Sequence, residues 1–181
     1  VGVTVTGRGE RVVDGGDNGV FEGSVTAGDS TSVATITADE VTGDIVASDS
    51  GQVIFDGTVS VGGALDANTE GTIDLAGGDV TVEGDVTLTQ DPDEEEGRTS
   101  LSLGDNDLII ENSNFNGGDG VEYSAGSGAI VFDTDDGEVT TDGETIPNIT
   151  VAEGATPRLE VTRDGTTEPD TLAFDGEATL N

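Results

Sequence analysis

A short unit recurs along the chain from Gly43 onward: a glycine, any residue, an apolar residue, any residue and a second apolar residue. The unit begins at Gly43, Gly51, Gly57, Gly63, Gly71, Gly78 and Gly84 and reads GDIVA, GQVIF, GTVSV, GALDA, GTIDL, GDVTV and GDVTL. Because repetition at so short a period leaves room for only one small element per unit, it restricts the fold more than any other feature of the chain.

Each unit has the pattern of one short β-strand. Apolar residues alternate with Thr, Asp or Ser, which is the period of two expected when one face of a strand is buried. Three units make about 20 residues, which is the length of one turn of a parallel β-helix. We expect a glycine at each corner because a sharp turn needs a residue that tolerates positive φ.

The alternation predicts which side chains point into the interior. We expect Ile73, Leu75, Val80, Val82, Val86 and Leu88 to point inward, and Thr81, Asp85 and Thr87 to face solvent. Val86→Asp is expected to destabilise the fold strongly, whereas Thr87→Asp is expected to have almost no effect.

Looser copies of the pattern extend it in both directions. Units open at Gly23, Gly128, Gly137 and Gly176, and an apolar-apolar-Phe-Asp tetrad ends at Asp56, Asp133 and Asp175. We therefore assign residues 23–181 to the solenoid. The acidic, Pro-containing segment 91–97 is predicted to be a loop insertion, and residues 1–22 are predicted to be an N-terminal cap or docking arm.

The predicted fold class is all-β, a parallel β-helix of about 20-residue coils, and the irregular glycine spacing favours a right-handed coil. A β-sandwich jelly roll is the alternative, since the length and the all-β pattern allow it. Jelly-roll strands usually run longer between turns, and they do not need a glycine every 6 to 8 residues, as this chain has.

The composition excludes several function classes. The 181 residues include 39 Asp and Glu and five Arg, with no Lys, His, Cys, Met or Trp, for a net charge of -34. Without His or Cys there is no His-based triad, thiol nucleophile or common zinc site, so we predict that the protein is not an enzyme. Such a charge repels nucleic acid, and no apolar run is long enough to span a membrane.

The acidic composition also predicts an environment of high salt concentration. Molar salt shortens the screening length to about 3 Å and removes most of the self-repulsion, so we expect K⁺ or Na⁺ at high concentration to stabilise the fold. The loss of Lys in favour of Asp and Glu resembles the composition of proteins from haloarchaea and their viruses.

The coils at 101–110, 128–133 and 146–151 resemble those of β-solenoid surface proteins of the autotransporter-passenger type, and residues 43–88 are similar to bactofilin-type filament proteins. This resemblance implies an elongated structural or adhesive role and a tendency to form filaments. It supplies no catalytic residues.

Two acidic clusters are candidate sites for Ca²⁺ or Mg²⁺, because hard cations bind several carboxylate oxygens at flexible spacing. The first contains Asp91, Asp93 and Glu95, and the second contains Asp133 and Asp135. Solvated charge without a bound ion is the alternative for both, and no other cofactor is predicted. Asn148-Ile-Thr150 is a sequon for N-glycosylation.

The predicted function is a non-enzymatic structural protein that self-assembles in an extracellular surface layer, filament or virion of an extreme halophile. An adhesin or receptor-binding spike module, with a cell-surface glycan as its partner, is one alternative. A jelly-roll viral capsid protein is another. The expected partners are copies of the same chain or other subunits of the same assembly, which we expect to make contact through residues 1–13 and 170–181.

Overall fold

The computed structural model describes residues 2–6, 9–16, 19–90, 98–118, 120–135, 137–141, 145–146, 148–161, 173–174 and 178–180. These residues form strands and connections, with no α-helix among them. The chain winds through three long sheets in turn and starts a new coil after every third strand, which builds a β-solenoid of about 6 coils. The predicted fold class is therefore confirmed, while its right-handedness stays a prediction.

The three sheets form the sides of the solenoid and are called A, B and C in chain order. Sheet A contains β1 (Val3–Val5), β4 (Val25–Gly28), β7 (Ile45–Ser48), β10 (Leu65–Asn68), β13 (Val86–Thr89), β16 (Phe115–Gly117), β19 (Glu138–Thr141) and β22 (Arg158–Val161). Sheet B contains β2 (Gly9–Val13), β5 (Ser32–Ile36), β8 (Gln52–Phe55), β11 (Thr72–Asp74), β14 (Ser100–Gly104) and β17 (Glu122–Ala125). Sheet C contains β3 (Val20–Phe21), β6 (Glu40–Val41), β9 (Val59–Val61), β12 (Val80–Val82), β15 (Leu108–Glu111), β18 (Ile130–Asp133), β21 (Ile149–Val151) and β24 (Ala178–Leu180). A separate pair joins β20 (Thr145–Ile146) to β23 (Ala173–Phe174).

Every strand pairing within the described residues is parallel. The jelly-roll alternative is therefore wrong, because a jelly roll is built from antiparallel strands.

The glycine spacing gives the coil length directly. Val25 pairs with Ile45, Ile45 with Leu65 and Leu65 with Val86, and the sheets as a whole repeat about every 21 residues. The units that open at Gly43, Gly51 and Gly57 supply strands of sheets A, B and C respectively. The step from Val86 to its partner Phe115 is longer, because it contains the predicted insertion 91–97, which lies outside the described residues.

The corner glycines are required for close stacking more often than for an unusual backbone angle. Among the glycines that open the repeated units, Gly23 and Gly57 have φ in the left-handed region, at 140° and 148°, and Gly19 and Gly120, which precede β3 and β17, have φ of 70° and 77°. A Cβ at Gly84 would lie 2.5 Å from the carbonyl oxygen of Gly63, and a Cβ at Gly43 would lie 2.6 Å from that of Gly23. The expectation of positive φ at every corner is thus wrong, because at most corners it is the close approach of consecutive coils that leaves no room for a side chain.

The interior is a column of apolar side chains with the predicted inward orientation. All six residues predicted to point inward are fully buried: Ile73, Leu75, Val80, Val82, Val86 and Leu88. Thr81 and Thr87 are half-buried on the outer side, and Asp85 is exposed. Because equivalent positions in successive coils lie above one another, each inward side chain packs on its register partners.

Residues 1–22 are not set apart from the solenoid in the described part of the chain. β1, β2 and β3 pair with β4, β5 and β6, so this segment supplies the first strand of each sheet. Whether it serves as a cap or as a docking arm stays a prediction. At the other end of the chain, β23 and β24 pair with β20 and β21.

Candidate functional site

The carboxylates are concentrated at the corners of the solenoid. Most acidic residues of the described chain lie in connections between strands: Asp14, Glu22, Asp29, Asp39, Asp44, Asp49, Asp56, Glu70, Asp79, Glu83, Asp85, Asp105, Asp107, Asp135 and Glu153. A smaller group lies at outward strand positions: Glu10, Glu40, Asp66, Asp74, Glu111, Glu122, Asp133 and Glu138. The negative charge therefore runs along the edges of the solenoid, while its flat sides carry mostly Thr, Ser, Val and Ile.

At the corner between sheets C and A, side chains of one coil accept hydrogen bonds from backbone amides of the next. The Ser24 hydroxyl accepts the Asp44 N–H at 3.1 Å, and Asp44 Oδ1 accepts the Ala64 N–H at 3.0 Å. Asp85 Oδ1 accepts the Asn114 N–H at 3.0 Å. Asn114 Oδ1 in turn accepts the Glu138 N–H of the next coil at 2.9 Å. We call this series of side-chain-to-backbone hydrogen bonds the corner ladder. It is interrupted at Ala64, whose side chain has no hydrogen-bond acceptor.

A similar arrangement lies at the corner between sheets B and C. Asp79 Oδ1 accepts the Asp107 N–H, and Asp107 Oδ1 accepts the Ala129 N–H, both at 2.9 Å. Asp105 Oδ1 accepts both the N–H and the hydroxyl of Ser127, at 3.1 and 2.9 Å. These bonds favour the charged form, and they hold the pKa of Asp105 below its usual value. These carboxylates therefore join one coil to the next.

The corner between sheets A and B contains two stacked turns with an unusual backbone. Asp49 and Ser50 have φ of 51° and 62°, and Thr69 and Glu70 have φ of 46° and 65°. Two consecutive residues in the left-handed region define a type I′ turn, which ordinarily favours glycine or asparagine. The Ser50 amide donates to the Thr69 carbonyl at 3.0 Å, and the Ser50 hydroxyl donates to the Glu70 carboxylate. One turn thus holds the other in place.

A shallow groove of about 270 Å³ runs along the outer side of sheet A. Its polar lining consists of Asp85, Thr87, Asn114, Asn116, Glu138 and Thr140, and the strand residues Val86 and Phe115, whose side chains are buried, complete it. Asp85 and Asn114 already bond to each other through Oδ1 and Nδ2 at 3.0 Å. The groove offers hydroxyl, amide and carboxylate groups, which can hydrogen-bond a polar ligand.

Asp66 lies on sheet A beside this groove, in register with Thr87 of the next coil. Burial raises the pKa of Asp66, and repulsion from Asp44 and Asp85 raises it further, while a hydrogen bond with Thr87 opposes the shift. Asp66 is thus repelled by carboxylates of the preceding and the following coil, and the hydrogen bond with Thr87 offsets this only in part.

The predicted metal-binding residues fall into two groups. Asp91, Asp93 and Glu95 lie outside the described residues. Asp133 and Asp135 are exposed and line a depression of about 250 Å³ together with Glu111 and Thr134. Nowhere in the described ranges are three or more acidic side chains grouped so that they could hold a metal ion. The cation sites therefore stay a prediction.

The outer side of sheet B, here called the B face, differs from the acidic corners. From β5 to β14 its outward positions are Val33, Thr35, Gln52, Ile54, Thr72, Asp74, Ser100 and Ser102. Only Asp74 among them is charged, and the exposed Arg98 lies just before β14. On β2 this side continues with the exposed Glu10 and with Val12, which at 62% exposed is the only exposed large apolar side chain in the described chain, and on β17 it continues with the exposed Glu122.

Sequence reasoning missed the corner ladder and the charge-poor B face. A signal for the ladder is present in the sequence, because Gly-Asp recurs at Gly43-Asp44, Gly78-Asp79 and Gly84-Asp85. In each case the Asp follows a corner glycine, and its carboxylate accepts a hydrogen bond from a backbone amide of the next coil.

Comparison with protein-family models, curated proteins and solved structures finds no match. Across the described residues, no helix is long and apolar enough to cross a membrane.

Proposed function

We propose that this protein is a non-enzymatic structural subunit that self-assembles in an extracellular surface layer, filament or virion of an extreme halophile. The observation that carries the proposal is the uniform solenoid, in which one parallel pairing repeats along the described chain around a filled apolar interior. A stack of this kind resists bending and presents the same sides along its length, which suits a building element.

The charge distribution supports the halophilic part of the proposal. Carboxylates in adjacent coils repeat along the corners, so each repels those above and below it. At about 0.1 M salt the screening length of about 10 Å spans two coils, whereas at 1 M it is about 3 Å and shorter than the distance between coils. High K⁺ or Na⁺ thus favours the compact state.

The resemblance of the coils to autotransporter passengers and bactofilins supports placing the protein on a cell surface or in a filament. In both classes an elongated solenoid has a structural or adhesive role. Other subunits of the same assembly, as well as copies of this chain, are the partners in this proposal.

An adhesin or receptor-binding spike module is the second candidate, and the groove on sheet A favours it. Hydroxyl, amide and carboxylate groups from three successive coils line this groove, which is a composition suited to hydrogen-bonding a cell-surface glycan. A monomer or discrete oligomer with glycan affinity that is lost in Asn116→Ala would support this candidate.

Light scattering after size-exclusion chromatography in molar salt, followed by electron microscopy, tests the first proposal. Fibres, sheets or shells of the purified chain are the expected result. A species of constant mass at every protein concentration, with no assemblies by microscopy, would contradict it.

A further inference from the structure

The first coil of the solenoid, which consists of β1, β2 and β3, lies at one end of all three sheets. Each of its strands has a described neighbour on one side only. Two inward apolar side chains of this coil, Val3 and Phe21, are half-buried and pack on the core. Open strand edges around a partly exposed apolar interior form a surface on which a further coil can stack.

Arg11 of β2 breaks the apolar pattern of this end. It pairs in register with Ala34, whose side chain is fully buried, and two residues further along β2 Val13 is also buried. Because side chains alternate along a strand, Arg11 occupies an inward position. It is nevertheless exposed, since no strand of the described chain lies above β2.

Arg11 is the only charged residue at an inward position in β1 to β18. The column that begins at Arg11 continues through uncharged residues of the following coils: Ala34, Val53, Ile73, Leu101 and Tyr123. The acidic residues of these strands all occupy outward positions: Glu10, Glu40, Asp66, Asp74, Glu111, Glu122 and Asp133. The position of Arg11 therefore departs from the rule that the rest of these strands follow.

A further coil stacked on β2 would enclose the Arg11 side chain between two apolar layers. The guanidinium would lose its hydration, and a buried charge without a partner strongly opposes the contact that buries it. While this end stays open, the apolar stem of Arg11 can lie over Ala34, the smallest residue of the column, with the charged group in water.

A second copy of the chain brings no compensating carboxylate. The last described strand of each long sheet has only uncharged residues in register with inward positions: Tyr123 and Ala125 on β17, Leu159 and Val161 on β22, and Ala178 and Leu180 on β24. Head-to-tail stacking would therefore place an apolar layer opposite the Arg11 guanidinium.

We infer that Arg11 blocks the stacking of a second copy on this end of the solenoid, so that the coil of β1–β3 terminates the stack. A charge at an inward position is one means by which proteins prevent edge-to-edge addition. The inference goes beyond the proposed function, because it restricts where subunits of an assembly can meet. The contact expected through residues 1–13 would have to form without a coil stacked on β2.

Sedimentation of Arg11→Val in molar NaCl, over a range of protein concentrations, tests the inference. Valine suits an inward strand position and removes the charge. The variant is expected to assemble at a protein concentration at least tenfold lower than the wild type requires, and electron microscopy should show longer rods. Its melting temperature should stay close to that of the wild type, because Arg11 is exposed.

Glu10→Val is the matched control, because Glu10 is the preceding residue and is also exposed, but at an outward position. Arg11→Val makes the net charge of the chain more negative by one unit, whereas Glu10→Val makes it less negative by one. If net charge governed assembly, Glu10→Val would assemble more readily than Arg11→Val. The inference predicts the opposite order.

Arg11→Glu separates a block from a specific contact. A carboxylate at the same position also opposes burial, so this variant should assemble no more readily than the wild type. If Arg11 instead pairs with carboxylates of a neighbour, both Arg11→Val and Arg11→Glu will weaken assembly. That result, or an Arg11→Val variant that assembles no better than the wild type, overturns the inference. The wild type alone decides the proposed self-assembly, so the two can fail separately.

Discussion

The side chain of Tyr123 lies where a side chain at Gly117 would have to be. The two residues belong to one coil, and a Cβ at Gly117 would collide with the Tyr123 hydroxyl and lie 3.1 Å from Cε1 of Phe115. Aromatic rings are concentrated in this coil, because Phe115 also contacts Phe132 edge-on with ring centroids 6.1 Å apart. Gly117 thus makes room for three aromatic rings inside one coil.

Gly117→Ala is expected to lower the unfolding free energy by about 1–3 kcal/mol, because an added methyl group overpacks a filled interior. The change is measured by thermal or denaturant unfolding in molar salt. Tyr123→Phe should recover part of the loss in the double variant, since it removes the colliding oxygen. Gly9→Ala is the control, because nothing lies within 4 Å of its added Cβ.

Val86→Asp should cost about 3–5 kcal/mol, because Val86 is fully buried and a carboxylate there has no partner. The expectation that Thr87→Asp has almost no effect needs revision, since Thr87 hydrogen-bonds to Asp66 and the new carboxylate would face it. Thr81→Asp is the better control, because its register partners Ser60 and Ile109 are uncharged. Similar losses in Val86→Asp and Thr81→Asp would show that the side-chain orientation is wrong.

Asp66→Asn should stabilise the protein at neutral pH, by less than about 1 kcal/mol because the group is partly solvated. A raised pKa means that the folded state disfavours the carboxylate. The destabilisation by the Asp66 carboxylate is complete above the raised pKa. It shrinks as the pH falls through that pKa and disappears below the ordinary value of 3.8, where the group is protonated in both states. Unfolding curves of both proteins, followed from neutral to acidic pH, should converge at the acidic end. A stabilisation that is independent of pH would rule out this explanation.

Asp105→Ser should lose stability with the opposite pH dependence. The pKa of Asp105 is lowered by its hydrogen bonds to Ser127, so its contribution is present above the ordinary value of 3.8 and is lost as the pH falls through the folded pKa. The difference between wild type and variant should therefore shrink in acid. A difference that grows as the solution is acidified would contradict the assigned bonds.

Ala64→Asn should fill the gap in the corner ladder and stabilise the protein by about 0.5–1.5 kcal/mol, the usual net contribution of one hydrogen bond. Asn114 already makes this bond from the equivalent position two coils further on, at 2.9 Å to the next amide. Asp44→Ala is the reverse test, because it removes the acceptor of the Ala64 N–H. Denaturant unfolding should therefore show changes of opposite sign for the two variants.

The melting temperature should rise steeply with salt between about 0.1 and 1 M, because the screening length falls from about 10 to 3 Å and corner carboxylates stop repelling one another. Differential scanning calorimetry at matched pH measures it, with NaCl and KCl compared. A melting temperature that stays constant over this range would contradict the halophilic proposal.

The coil and its interior could be predicted because they follow from local chemistry. The spacing of Gly43, Gly51, Gly57 and Gly63 equals one turn around the three sheets, and the apolar residues between them alternate at the period of a strand. The reason for glycine at most corners could not be predicted in the same way. Glycine is needed there because the backbone of the adjacent coil leaves no room for a Cβ, and a local sequence pattern does not show which residues of the next coil lie close.

The surfaces were harder to predict for the same reason. Asp44 and Ala64 are bonded because the fold places them in adjacent coils, and the sequence shows them only as two small residues after glycines. The charge-poor part of the B face between β5 and β14 likewise appears only when Val33, Ile54 and Ser100 are brought onto one side of the solenoid. Composition gives the total charge, but the winding of the chain decides where it lies.

The carboxylates along the corners make the solenoid a polyelectrolyte. The stacked strands of sheet A, at about 4.8 Å each, give a length of roughly 35 Å, and the described residues place 24 Asp and Glu against three Arg along it, which is about one net charge per 1.7 Å. Duplex DNA has one per about 1.7 Å and already gathers a condensed layer of cations. A molecule of this charge density carries such a layer too, and any cationic partner that binds its corners gains entropy by releasing these ions. Its affinity must then fall steeply with the logarithm of the salt concentration.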